Sequence, residues 1–324
     1  MAKQADYAFG WFQVCYSNEL GVRHVRPFHA FGREFVLWRD EERQPHLMQA
    51  YCHHLGAHLG HGGTVCDGVL HCPFHGWQYD GNGQCVAIPY SPDAKLNGRH
   101  IEALPIKERN GTICAWYHPC GEPPSFDVPV LEEWRASGWS RYRRQYWEVD
   151  TEWREIQENI VDSTHFHYLH GVNSLADVRR CEPVGHILNV DIHHQFRTPH
   201  GVRPGFIQTT LYGPYLAIVR FRIADLAEMV FIDAVTPIDP GNVAVTFSLT
   251  ARLTDIQDPD MSLELVEEGV RQVSEDVPIW SHKTRWDRPS LARGDGPIMK
   301  FRRWADQFYI KDHTSRPADT HATA

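Results

Sequence analysis

From Trp11 to about Ile113 the apolar positions come in short runs, broken by Gly, Asn-Gly and Pro. EFVLWRD, HLMQAYC, GTVCDGVLHC, WQYDGNGQCVAIPY and GTICAWYH are such runs. Four to eight β-branched and aromatic residues between turn formers predict short strands, and DGNG at Asp80–Gly83 predicts a hairpin. The first part of the chain is therefore expected to be all-β. Pro119 to Glu133, PCGEPPSFDVPVLEE, is proline-rich and reads as a linker. Beyond Trp134 the pattern changes. Thr151 to Gly171 has a helical first part. FIQTTLYGPYLAIVRFRI, EMVFIDAVTPI and NVAVTFSLTARL alternate as antiparallel strands, with TPIDPGN as a turn between two of them. Met261 to Trp286 keeps helical periodicity through about Trp280. The fold class is α+β: an all-β domain over 1–118, a linker over 119–133, a sheet domain with a long late helix over 134–311, and a polar, disordered tail over 312–324. No internal repeat is present.

Composition narrows the function. A chain of 324 residues, 42% apolar, suits two domains with real cores. The net charge of −9, with no block of Lys or Arg, argues against a nucleic-acid partner or an anionic membrane surface. No run approaches the length of a membrane span. The N-terminus, MAKQADYAFGWFQVCYS, lacks the regions of a signal peptide, and a cytoplasmic protein is expected. Eight cysteines are too sparse for a disulfide scaffold. Cys15, Cys66, Cys85, Cys114, Cys120 and Cys181 have no ligand partner at short spacing and are expected to be small buried hydrophobes.

Two pairs differ. Cys52-x-His54 and Cys72-x-x-His75 bring two thiols and two imidazoles from two loops. Four such donors fit either a tetrahedral zinc ion or a Rieske [2Fe-2S] cluster, with two Cys on one iron and two His on the other. The order Cys, His, Cys, His departs from zinc-finger spacing. Gly56 and Gly76, just beyond the two loops, let backbone N–H groups approach bridging sulfides. Both features favour the cluster. His53 lies between two ligands and should point away; His58, His61 and His71 fall outside both pairs and read as surface or hydrogen-bonding residues. The segment resembles Rieske proteins. Ala57 and Phe74 stand where the respiratory type carries an extra disulfide, so the resemblance is to the oxygenase and ferredoxin type.

A second donor set lies in ENIVDSTHFHYLHG: Asp162-x-x-His165-x-x-x-x-His170, preceded by Asn159. Two His and one carboxylate on one face of a ferrous ion leave the opposite face open for O2 and substrate. Alone, this His spacing more often belongs to packing residues. The block resembles the N-x-x-D-x-x-H-x-x-x-x-H signature of Rieske oxygenase α-subunits, which implies a mononuclear Fe(II) held by His165 and His170. His167 should face elsewhere. In that family an acidic residue a few positions before Ile-Trp completes the set, which implies Asp276, with Glu275 in reserve and Asp287 less favoured. The resemblance also implies that Asp162 bridges His165 and His75 of an adjacent chain, so that the protein assembles as a homo-oligomer, a head-to-tail ring of three. Asn159 is either a polar residue near the iron or a helix cap.

DVPIWSHKTRWDRPSLARGDGPIMKFRRWADQFY, with the cluster segment, is similar to 3-ketosteroid 9α-hydroxylase oxygenase components and cholesterol 7-desaturases. The resemblance is dense at both metal segments and thin from Cys181 to Asp258. It implies a helix-grip (START-like) catalytic domain and a terminal oxygenase. Such a protein takes electrons from an NAD(P)H-dependent reductase, alone or with a ferredoxin, and uses O2 to hydroxylate a C–H bond of an apolar, steroid-like or aromatic substrate. Desaturation, demethylation and arene cis-dihydroxylation on the same site are the alternatives within the class. A Rieske electron carrier with a non-catalytic lipid-binding domain is the alternative outside it. Phe206, Tyr212, Tyr215, Val219, Phe221, Phe231, Val245 and Phe247 are candidate pocket walls. Arg220 and Arg222 alternate with Phe221, either facing solvent or holding a polar substrate group.

Overall fold

A computed structural model describes residues 7–172, 175–198, 201–224, 226–253 and 259–310. The expected tail lies outside the described residues. The amino-terminal part is built from three small antiparallel sheets. Gly10–Tyr16, Thr112–Tyr117 and Ile106–Arg109 form one. Val25–Ala30, Arg33–Arg39, Pro45–Gln49 and Ala103–Leu104 form the second. The third is a meander from Thr64 to Ala87. Its hairpins follow the turn chemistry. Asp67 and Gly68 both have positive φ between paired strands, and Asp80 accepts from Gly83 N at 3.0 Å. Gly83 is required: its φ is +82°, and a Cβ there would overlap the carbonyl oxygen of Ile101.

The carboxyl-terminal part is a seven-stranded antiparallel sheet closed by the helix Pro259–His282. The strands run, edge to edge, Arg143–Val149, Asn242–Leu253, Ala227–Asp239, Leu216–Ile223, Gly201–Tyr212, Ile187–Thr198 and Asp177–Val184. Every pairing is antiparallel. Three of these strands, Arg143–Val149, Asp177–Val184 and Ile187–Thr198, have no counterpart in the sequence reading. The first and second are the sheet's edges.

The pleat gives this sheet two different faces. Along Ala227–Asp239, Met229, Phe231 and Val235 belong to the core under the long helix. Val230, Ile232 and Ala234 belong to a second core, shared with Trp11, Phe12, Phe31, Trp116 and Tyr117. The two halves are thus welded through the back of the sheet. The segment read as a linker has no regular structure, but it is pinned. Trp11 Nε1 donates to Phe126 O at 2.6 Å, Trp116 Nε1 to Glu122 O at 2.8 Å, and Asn110 pairs with Pro129 O and Leu131 N.

Two cysteines correct the expectation of burial. Cys15, Cys85 and Cys114 are buried, but Cys66 and Cys120 are exposed and Cys181 is intermediate. Cys66 lies on the outer face of a hairpin whose inner residue is Val65. Among the described residues no helix is long and apolar enough to cross a membrane.

Gly83→Ala is expected to destabilise the protein by about 2 kcal/mol or more, combining a left-handed backbone penalty with the overlap at Ile101. Urea unfolding followed by circular dichroism measures it; a loss below about 0.5 kcal/mol would contradict the turn geometry.

Candidate active site

The two cluster loops are built alike. Gly56 N donates to Cys52 O and Gly76 N to Cys72 O, each at 3.0 Å. Cys52 N donates to Ala57 O at 2.9 Å and Cys72 N to Trp77 O at 2.8 Å. Each loop closes with a glycine in the left-handed region, φ +73° at Gly56 and +70° at Gly76. The loops carry His54 and His75 side by side, with ring centroids 4.7 Å apart. Trp77 stacks on His54 at 4.8 Å, and Tyr79 Oη lies 3.2 Å from Cys52 Sγ.

The donor set fits a [2Fe-2S] cluster. Cys52 and Cys72 are both buried, and His75 Nδ1 is enclosed without a partner in the chain. Burial pushes the Cys52 thiol pKa up, opposed by its bond to Tyr79. The protein alone therefore does not favour the thiolate; metal charge must. The other histidines have separate roles. His53 is exposed. His58 Nδ1 accepts from Gly60 N at 3.0 Å, and its Nε2 faces Glu34 at 3.7 Å. His61 lies against His58, their rings 4.5 Å apart.

The second donor set depends on a broken helix. Trp153–Gln157 runs into the 3-10 turn Glu158–Ile160, stops, and restarts as the single turn His165–Tyr168. On one straight helix, side chains five apart diverge by about 140°. Here the turn ends before His170, and the two imidazoles come together with ring centroids 5.2 Å apart. The long helix supplies Asp276. Donor atoms of His165, His170 and Asp276 all lie within 4.8 Å of one another, a group able to hold a metal ion.

The orientation of each ligand is set from behind. His170 Nδ1 bonds Glu275 Oε2 at 3.0 Å, leaving Nε2 toward Asp276 Oδ2 at 3.4 Å. Glu275 is thus turned to the outer nitrogen of His170 and to Arg271, not inward. Asp287 is exposed and outside the group. Asn159 Nδ2 donates to Asp276 Oδ1 at 3.0 Å; it caps no helix end. His165 Nδ1 lies 3.9 Å from Asp162 Oδ2. His167 turns its Nδ1 to Val172 O. Burial lowers the His165 pKa. At His170 burial also opposes the charged ring, but bonds to Asp276 and Glu275 outweigh it and raise the pKa.

Three sets of contacts that the sequence reading missed hold the break in place. Arg302 makes a bidentate pair with Glu158, at 2.6 and 2.9 Å, both side chains buried. Glu155, also buried, pairs with Lys283 and Arg285 at 2.8 Å each. Gly296 packs on the backbone of Val161, where a Cβ would overlap the carbonyl oxygen.

The triad opens on a cavity of about 100 Å³ between the sheet and the long helix, next to a second of about 210 Å³. Of the candidate walls, Val219, Phe221, Phe231 and Phe247 line the inner cavity. The others do not. Tyr215 faces the shared core on the opposite side, with Tyr212 packed against that core. Phe206 is 43% exposed, and Val245 is buried behind the lining. Arg220 pairs with Glu133 at 2.6 Å and Arg222 with Glu228 at 3.3 Å, both on the side away from Phe221. The wall also holds Asp233, which the sequence reading passed over.

A sulfur-imidazole site on a small β domain, ahead of a two-His-one-carboxylate site in a helix-covered sheet, defines a Rieske non-haem iron oxygenase. Residues 10–105 match the Rieske [2Fe-2S] domain. Residues 115–309 match the 3-ketosteroid 9α-hydroxylase C-terminal domain, and the chain belongs to that family. A 3-ketosteroid-9-alpha-monooxygenase oxygenase component of Rhodococcus rhodochrous is 30% identical over 94% of this chain and 81% of its own length. A cholesterol 7-desaturase of Xenopus laevis is 31% identical over 94% of this chain and 72% of its own. Dicamba monooxygenase bound to dicamba has the same fold, with a TM-score of 0.77 at 19% identity, over 94% of this chain and 98% of that one. The protein is a terminal oxygenase component, an oxidoreductase that works with a separate reductase, and its cofactors are a Rieske [2Fe-2S] cluster and a mononuclear iron.

Gly296→Ala should push the Val161–Asp162 backbone out of place and loosen His165. Iron analysis should fall from about three per chain toward about two, with the cluster absorbance retained. Full iron content in a folded variant would show that the close approach is not needed.

Proposed function

We propose that this chain hydroxylates a C–H bond of an elongated, mostly apolar organic molecule, with O2 as oxidant and electrons delivered singly by an NAD(P)H-dependent reductase. One observation carries the reading: the His165, His170 and Asp276 group opens directly onto a cavity walled by Val219, Phe221, Phe231 and Phe247. Such a lining suits an apolar ligand and excludes water. Similarity to steroid-hydroxylating and sterol-desaturating proteins supports a polycyclic substrate.

In this reading Cys52, His54, Cys72 and His75 hold the cluster, and His165, His170 and Asp276 hold the iron. Bound there, the iron supplies an open coordination face for oxygen activation. The chain's own residues do the rest. Glu275 fixes His170 with Nε2 inward, and Asn159 keeps one oxygen of Asp276 occupied, so that the carboxylate keeps one orientation. The phenyl walls place the substrate and keep the site dry.

Asp162 stands at the exit from this site. Its carboxylate is 38% exposed and faces His165 Nδ1, which has no other partner. His75 is only half-buried, and with its enclosed Nδ1 on the cluster side its Nε2–H is left to point outward. A carboxylate between two such imidazoles can accept from both and couple them. We read Asp162 as the bridge to His75 of a neighbouring subunit in a ring of three. Exposed apolar side chains at both ends support this assembly: Leu55, Phe74 and Tyr90 around the cluster, Tyr168 and Trp286 near Asp162. The free cysteines fit a cytoplasmic location.

His165→Ala should cost the mononuclear iron, about one of three per chain, and at least about 100-fold in product formation, while the cluster spectrum stays. Retained oxygenation, measured as O2-dependent product with the reductase, would refute the site. Asp162→Ala should keep both metals yet slow reductase-driven turnover by about 100-fold or more. Ordinary turnover in that variant would remove the bridge.

A further inference from the structure

The cavity has a direction. On Ala227–Asp239 the residues facing it follow in the order Met229, Phe231, Asp233; on the antiparallel neighbour Leu216–Ile223 they follow as Ile223, Phe221, Val219. Met229 and Ile223 line only the outer cavity, Phe231 and Phe221 line both, and Asp233 and Val219 line only the inner one. The two cavities meet beneath Gly269. A Cβ there would stand 2.8 Å from Phe231 Cζ and 2.8 Å from Leu249 Cδ2, so any larger residue would narrow the connection. From Met229 to Asp233 is about 13 Å at strand rise, the length of a three- or four-ring hydrocarbon. His170 borders both cavities; His165 and Asp276 border the inner one.

At the inner end the wall changes character. Asp233 holds a position where the pleat calls for an apolar residue, between Phe231 and Val235, and across from Ala217 and Phe247. Its Oδ1 is enclosed and has no partner. Its Oδ2 has one long contact, 3.5 Å from Gln157 Nε2. Gln157 itself is fully buried, and its Oε1 also lacks a partner. Burial pushes the Asp233 carboxyl pKa up. Two poorly satisfied polar groups in an apolar wall cost stability, and a leucine would serve packing better. Their place beside the triad gives them another use.

We infer that Asp233, backed by Gln157, is the polar stop of the substrate site: it hydrogen-bonds a hydroxyl or keto oxygen on the leading end of an apolar substrate. The inference rests on the cavity being the substrate site. A molecule enters past Met229 and Ile223, slides beneath Phe221 and Phe231, and is halted by its oxygen at Asp233. The carbon presented to the triad is then fixed by its distance from that oxygen. Asp233 is a specificity-determining residue under this scheme, and apolar molecules without such an oxygen slide without register.

The test is binding, read without turnover. Iron-loaded, full-length protein under anaerobic conditions is titrated by equilibrium dialysis with three matched probes: 5α-androstane, 5α-androstan-3β-ol and 5α-androstan-3-one. Wild type should bind one or both oxygenated probes at least about tenfold more tightly than the hydrocarbon. Asp233→Leu should bring that ratio to about one, mainly by weakening the oxygenated probes, and should not lower the unfolding midpoint. Asp233→Asn should keep part of the preference, and it decides the matter should Asp233→Leu fold poorly. A ratio near one in wild type, an unchanged ratio in a folded Asp233→Leu protein, or no binding of any probe overturns the inference. Selective binding with no O2-dependent product would instead sink the proposed hydroxylation and leave the polar stop standing.

Discussion

The two-residue pleat of the central strand Ala227–Asp239 is the constraint on which the molecule depends. Each side chain must point to one face or the other. Val230, Ile232 and Ala234 fasten the sheet to the cluster-bearing half through a core shared with Trp11, Phe12 and Phe31. Met229, Phe231 and Asp233 face the cavity. One strand therefore serves as domain weld and as pocket wall at once. A one-residue slip in its pairing would put cavity residues into the weld and weld residues into the cavity. The long register with Leu216–Ile223 and Asn242–Leu253 holds against that slip.

The donors grouped at the candidate metal site ask for the opposite of regular structure. His165, His170 and Asp276 come from a one-turn helix, the turn after it and a long helix, and none is placed by a sheet. Their positions are held by contacts that tolerate little change: the glycine at 296 against Val161, the Glu158–Arg302 pair and the Glu155 pairs with Lys283 and Arg285. Buried ion pairs of this kind add little net stability, because desolvation offsets most of the attraction. Breaking one leaves an unpaired buried charge, which is far more costly. They act here as fixed geometry, joining the broken helix to the chain after the long helix, so that ligands 111 residues apart in sequence, His165 and Asp276, stay within reach.

Much of this was legible in the sequence because it is written in local rules. Cys-x-His and Cys-x-x-His before glycines, DGNG between apolar runs, and the Asp162 to His170 spacing each state a loop or a ligand set within a dozen residues. The α+β class followed from a switch between period two and period 3.6. The strands that escaped notice are those whose patterns lack contrast. DVRRCEPV, at the sheet edge, buries little and so carries few apolar residues. Ile187–Thr198 sets His194 on the buried face after Leu188, Val190 and Ile192, which blurs the alternation. The pocket walls were named from apolar character alone. Tyr215 and Phe231 look equivalent on that measure, but Tyr215 sits in the turn before Leu216–Ile223 and packs into the shared core, whereas Phe231 lies within a strand and faces the cavity.

The supports of the site were illegible for a different reason. Gly296, Arg302 and Glu158 act through contacts between segments more than a hundred residues apart, and neither DGP nor an isolated Arg-Glu pair has a local signature. Asp233 is the sharper case. In FIDAV a single acid looks like the polar member of an ordinary half-exposed strand. It stands out only once both faces of that strand are known to be covered, since then its carboxylate faces a cavity instead of open surface. A residue that is unremarkable in one dimension becomes costly in three. That cost, borne beside a metal-binding triad rather than in a remote part of the core, is what separates a recognition group from an accident of composition.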